Sequence, residues 1–150
     1  MLAGLIAAVG QVLDGVDGQF ARLTDRESSA GAFLDSVLDR YFDGVLVIGL
    51  IIYLIRSGIG LPEWQLTSIG ALALIGSGLI SYSTARAGGL GIDLGPPTLA
   101  SKGTRTTVIV ICAVLSPISA WIPFAGLCYV ALHTNLVVIC RLVRAYRHSL

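Results

Sequence analysis

The sequence predicts an all-α protein, a polytopic bundle of transmembrane helices. Three observations lead there. Of 150 residues, 55% are hydrophobic and only 13% are charged, whereas a soluble domain carries roughly a quarter charged residues; the mean hydropathy is +0.83. The apolar residues gather into runs near the roughly 20 helical positions that cross a hydrocarbon layer about 30 Å thick. The strict alternation of a transmembrane barrel is missing, which leaves helices as the way to satisfy backbone groups in lipid.

Five segments are expected. The first runs from Met1 to about Leu23 and is apolar only as far as Leu13; the second runs from about Ser29 to Arg56. The third runs from about Glu63 to Ala87, the fourth from about Gly103 to Ala120 and the fifth from about Ile122 to Arg147. Pro62, the Gly88–Gly91 stretch, Pro96 with Pro97, and Pro117 with Pro123 punctuate them, because proline cannot continue a helix and glycine clusters favour turns. Met1 opens directly on an apolar run with no basic lead, unlike a signal peptide, so a further span upstream is expected. Gly70, Ala71, Ala73, Gly76, Ser77, Gly78, Ser81 and Ser83 crowd the third segment; small faces let helices approach closely in lipid.

Charge placement sets the expected orientation. Arg22 and Arg26 follow the first segment, Arg86, Lys102 and Arg105 flank the 88–103 loop, and Arg141, Arg144 and Arg147 close the fifth. The opposite ends carry only Arg56, together with Trp64 and Trp121. Basic residues favour the cytoplasmic side and tryptophans the interfaces, so the 22–29 loop, the 88–103 loop and the C-terminus are expected in the cytoplasm. A net charge of +1 supplies no overall basic field for nucleic acid. Cys112, Cys128 and Cys140 all lie in apolar runs and read as small core hydrophobes.

The informative residues are carboxylates in the apolar segments. Asp14 and Asp17 are three apart; Asp35, Asp39 and Asp43 are four apart. Both spacings put side chains on one helix face, and a short loop folds the two groups into a hairpin in which Asp14, Asp17, Asp35 and Asp39 converge. One acidic residue at mid-membrane costs about 2.5–3.5 kcal/mol, so four approach roughly 10 kcal/mol, less at shallow depth. A divalent cation offsets this, and hard oxygen donors select Mg²⁺, Mn²⁺ or Ca²⁺. His133 and His148 have no ligand spacing to another His or Cys. Taken singly, an intramembrane Asp is as readily a buried hydrogen-bond partner or a proton-relay member. Gly15, Gly18, Ala21 and Gly31 leave room on the hairpin for a bulky ligand or for close helix packing.

The stretch Asp14-Gly-Val-Asp17-Gly18-Gln-Phe-Ala21-Arg22, then eight residues, then Gly31-Ala-Phe-Leu-Asp35-Ser-Val-Leu-Asp39 reads D-x2-D-G-x2-A-R-x8-G-x3-D-x3-D. It resembles the CDP-alcohol phosphotransferase family in every fixed position, over 26 residues. The resemblance implies a six-helix membrane fold of which this chain shows five, the first being absent, and a homodimer. It implies that an alcohol displaces CMP from a CDP-alcohol, in phospholipid or inositol-phosphodiester synthesis. Asp14, Asp17, Asp35 and Asp39 would hold one or two divalent ions, Mg²⁺ or Mn²⁺, at the CDP pyrophosphate. Asp39 would also be the general base, while Gly18, Ala21, Arg22 and Gly31 would shape the CDP pocket. Such chemistry needs alignment and charge neutralisation, with a carboxylate to take the acceptor's proton. Asp43 lies outside the signature and is expected to position Asp39 or a basic partner.

Two explanations compete for Arg86, Lys102 and Arg105, with Arg141 or Arg144 as further candidates beside them. They are topogenic, or they recognise a phosphorylated acceptor where Ser101-Lys102-Gly103-Thr104-Arg105 opens a helix. The acceptor would then resemble inositol phosphate, with glycerol phosphate and serine as rivals. The donor is open among diacylglycerol, diether-lipid and soluble inositol forms. The competing class is a metal- or proton-coupled transporter, since intramembrane acids also serve ion pathways; it requires acids near the midplane and polar residues continuing outward. A non-catalytic scaffold would not need the intact signature.

Overall fold

A computed structural model describes residues 28–95 and 102–148, together with Ile6, Val9 and Gly10, which are helical. The rest of the expected first segment lies outside the described residues, and with it Asp14, Asp17, Gly18, Ala21 and Arg22. Four helices follow: α1 (Ser29–Ser57), α2 (Glu63–Leu90), α3 (Lys102–Val114) and α4 (Trp121–His148).

Helix boundaries follow local chemistry. Ser28 caps α1, its hydroxyl accepting the Gly31 N–H at 3.0 Å, which satisfies one of the free donors of the first turn. Gly58 ends α1 at φ 61° and Gly91 ends α2 at φ 67°, a left-handed backbone that glycine adopts without steric penalty. At Gly91 the chain closes with Ile92 N–H bonding the Ala87 carbonyl at 3.0 Å. Pro62 stands immediately before α2, and its carbonyl accepts the Gln65 N–H at 3.0 Å.

The side-chain contacts fix the helix directions. Asp43 meets Arg105 and Tyr53 meets Ser116, so α1 and α3 run parallel. Asn135 bonds Leu72 and Arg141 bonds Ile80, so α2 and α4 also run parallel, against the direction of the first pair. The described bundle therefore alternates in direction along the chain. Its most extensive packing is α2 on α4. The core joins Val47, Leu50 and Leu54 of α1, Leu66 and Ala73 of α2, Ile109 of α3, and Leu127, Val130 and Ala131 of α4.

The small residues of α2 do what their density predicts. Leu66, Gly70, Ala73, Gly76, Ser77 and Ile80 form its buried face, at the spacing of one helical stripe. A Cβ at Gly70 would overlap Ile51, and one at Gly76 would overlap Thr134 and Asn135. Asn135 seals this crossing by donating to the Leu72 carbonyl at 2.9 Å and to the Ala131 carbonyl at 2.7 Å. On the outer faces, Leu72, Ile75 and Leu79 of α2 and Leu132, Leu136 and Ile139 of α4 are exposed. Small residues inside and large apolar residues outside is the arrangement of a helix pair solvated by lipid.

Two expectations change in detail. Among the described residues, α2 and α4 are the two helices long and apolar enough to cross a membrane; α1 has 29 residues but carries Asp35, Asp39, Arg40, Asp43 and Arg56. The fourth segment, expected to Ala120, is helical only to Val114. Pro117 has no N–H to give the Ala113 carbonyl, which takes the Ser116 N–H at 3.4 Å instead. The helix thus tightens into turns two residues before the proline.

Candidate active site

The site residues that are described lie on the first half of α1, near the end of α2 and in the first turn of α3. Asp35 and Asp39 stand one helical turn apart on α1, Asp35 exposed and Asp39 partly buried. Gly31 lies one turn before Asp35, exposed at the capped start of the helix. From Gly44 to Ile55, α1 carries no ionisable side chain other than Tyr53, so its acids are confined to one end.

Asp43 is the hub of that end. Its Oδ2 lies 3.3 Å from Arg105 Nη2 and 3.6 Å from Arg40 Nη1, and its Oδ1 accepts the Thr106 hydroxyl at 3.3 Å. Arg40 reaches the other way as well, its Nη2 standing 3.7 Å from Asp39 Oδ2. The Arg105 side chain is 4% exposed and that of Asp43 12%. Two buried ions of opposite sign hold each other in place, since removing either leaves an uncompensated charge. The expectation that Asp43 positions a basic partner is met by Arg105, 62 residues along the chain. Arg40 was legible in the sequence as one of the few arginines near the acids, adjoining one and three residues before another; sequence reading passed over Thr106, which nothing local marked.

The remaining basic residues divide. Arg86 is exposed near the end of α2. Lys102 begins α3. Arg141 of α4 clasps the end of α2, its Nη1 donating to the Ile80 carbonyl at 2.6 Å, to Ser83 Oγ at 2.8 Å and to Thr84 Oγ1 at 2.9 Å. Arg144 donates to the Leu94 carbonyl, beside a turn in which Asp93 Oδ1 accepts the Gly95 N–H at 2.7 Å. Arg86, Arg105, Arg141 and Arg144 thereby gather at one end of the bundle, while Trp64 and Trp121, both exposed, open the parallel helices α2 and α4 at the other.

The donor chemistry fits a hard divalent cation. Asp35 and Asp39 offer carboxylate oxygens from one stripe of α1. His133 is on α4, stacked on Tyr129 with ring centroids 5.2 Å apart. Among the described residues no three His, Cys, Asp or Glu side chains gather into a ligand cluster; Asp35 and Asp39 are half of the expected four.

A sequence model of the CDP-alcohol phosphatidyltransferase family matches residues 1–140. The chain belongs to this family. It is a family of transferase enzymes, and the match covers both helices of the expected acidic hairpin. The chain is similar to the archaetidylinositol phosphate synthase of Pyrococcus horikoshii, 35% identical over 140 residues, 87% of this chain and 70% of that protein. It is similar to the phosphatidylinositol phosphate synthase of Streptomyces avermitilis, 29% identical over 150 residues, 91% of this chain and 57% of that protein. It is also similar to the bifunctional IPC transferase and DIPP synthase of Thermococcus kodakarensis, 42% identical over 85 residues, 57% of this chain and 18% of that protein. The chain spans only part of each of these relatives.

Proposed function

We propose that this family member transfers a substituted phosphate from a CDP-alcohol to the hydroxyl of an inositol phosphate, with release of CMP, at the cytoplasmic end of the bundle. The observation that carries the reading is the intact signature from Asp14 to Asp39, whose Asp35 and Asp39 stand on one stripe at the charged end of α1. Two of the similar proteins are named as synthases of inositol phosphate lipids, which supports inositol phosphate as acceptor. Gly18, Ala21, Arg22 and Gly31 border the CDP group in this reading, and the homodimer implied by the resemblance remains part of it.

Asp14, Asp17, Asp35 and Asp39 would hold the Mg²⁺ or Mn²⁺. Bound there, one or two such ions neutralise charge on the pyrophosphate oxygens. Asp39 accepts the proton of the acceptor hydroxyl as that oxygen bonds to the phosphorus attached to the donor alcohol. The bond from this phosphorus to the bridging oxygen breaks, and CMP departs with the electron pair. Lys102, Arg105 and Arg86 supply positive charge for the acceptor's own phosphate. The acids of α1 stand at its charged end and not along its full length, which favours chemistry at the membrane surface over a transport path.

The test is CMP release from a CDP-alcohol and inositol phosphate, with and without Mg²⁺ or Mn²⁺. Asp39→Asn is expected to lower turnover by about 10²–10⁴-fold, the usual contribution of a positioned base, while CDP-alcohol binding survives. Normal turnover by this variant overturns the assignment of the base.

A further inference from the structure

We infer that Asp43 is a positioning residue for the metal-binding edge of α1, acting through Arg40. The inference rests on the reading of Asp39 as a metal ligand. Arg40 lies between two carboxylates at nearly equal range, 3.7 Å from Asp39 Oδ2 and 3.6 Å from Asp43 Oδ2. Both separations exceed the 2.7–2.9 Å of a charge-assisted hydrogen bond, so the guanidinium is shared and is closed on neither. Its Nη1, the nitrogen on the Asp43 side, is buried without a hydrogen-bond acceptor. Arg105 and Thr106 of α3 hold Asp43 from the other side, at 3.3 Å each.

The consequence follows from charge. An arginine beside a metal ligand competes with the cation for the same carboxylate oxygens. Asp43 draws Arg40 back along the helix and limits that competition. With the Asp43 charge removed, Arg40 closes on Asp39 and occupies oxygens that a divalent ion needs. With Arg40 removed, the ion loses that competitor for Asp39 whatever stands at position 43. Asp43 thus lies outside the signature yet governs how available one of its carboxylates is.

The experiment measures Mn²⁺ binding to the purified, bilayer-embedded chain without substrate, by electron paramagnetic resonance of free Mn²⁺. Asp43→Asn is expected to weaken binding and Arg40→Gln to strengthen it, each by roughly two- to fivefold, the range of a partly exposed ion pair. The double variant is expected to bind as Arg40→Gln does. Rescue of this kind separates positioning from a merely structural role. Should Asp43→Asn fail to fold, Arg40→Gln carries the test alone. An unchanged or weaker Mn²⁺ affinity in Arg40→Gln overturns the inference. Asp39→Asn distinguishes the two readings: if it leaves Mn²⁺ binding intact, the metal-ligand assignment fails; if it weakens binding while Arg40→Gln changes nothing, only the role of Asp43 fails.

Discussion

Arg105 is tied into the bundle and is also the residue proposed to meet the acceptor's phosphate. Its guanidinium is enclosed between α1 and α3 and paired with Asp43, an arrangement in which deleting one partner costs about 3–5 kcal/mol. Arg105→Ala is therefore expected to lower stability by about that amount, measured by thermal unfolding in detergent. If the same residue reads the acceptor phosphate, its loss also raises the acceptor KM about tenfold or more, as for a hydrogen bond to a charged group. A fall in stability with an unchanged KM would leave Arg105 as an internal tie only. Its place in the sequence, three residues into a helix, announced a phosphate contact or a topogenic charge. Neither reading could name Asp43, because the pairing depends on how α1 and α3 lie against each other.

At the scale of the element, the small-residue stripe of α2 is the clearest case of packing written into sequence. Gly76 stands where a side chain would overlap Thr134 and Asn135, whereas Gly78, two residues on, faces open space. Gly76→Ala is expected to destabilise the bundle by about 1–3 kcal/mol through overpacking. Gly78→Ala is expected to be neutral or to stabilise by up to about 1 kcal/mol, since alanine favours the helix. Comparative thermal melts check both, and equal melting temperatures would remove the close-crossing account. The bounds of α1, α2 and α4 were legible to within three residues, because Gly58, Pro62 and the Gly88–Gly91 stretch act locally. The early end of α3 was not, since Pro117 disturbs hydrogen bonding upstream of itself and apolar residues continue through the break. Of the acidic hairpin, the α1 half was legible as a stripe on a helix; the half bearing Asp14 and Asp17 lies outside the described residues.

Over the whole molecule, charge is polarised along the bundle. Arg86, Arg105, Arg141 and Arg144 belong to one end and Trp64 and Trp121 to the other. Such an asymmetry sets orientation during insertion. In a chain with Cys112, Cys128 and Cys140 replaced, a single cysteine at position 64 is expected to react with a membrane-impermeant thiol reagent added to intact cells. A single cysteine at position 147 is expected to react only after the cells are opened. The reverse pattern would place the carboxylates of α1 on the outside and remove the cytoplasmic pool of CDP-alcohols as their substrate. The expected orientation depends on counts at segment ends and not on contacts, so it is stated from the sequence alone.

The shortness of α3 reaches beyond its own packing. Its thirteen described residues give a rise of about 20 Å, roughly two-thirds of a hydrocarbon layer. Beyond Val114 the chain continues in turns, and irregular backbone at that depth persists only where protein shields it. The hydroxyl of Tyr53 supplies such shielding, donating to the Ser116 carbonyl at 3.2 Å. A neighbouring helix thereby stands in for the water that the surrounding oil cannot provide, and the bundle carries its own solvent to the place where its ladder of amides runs out.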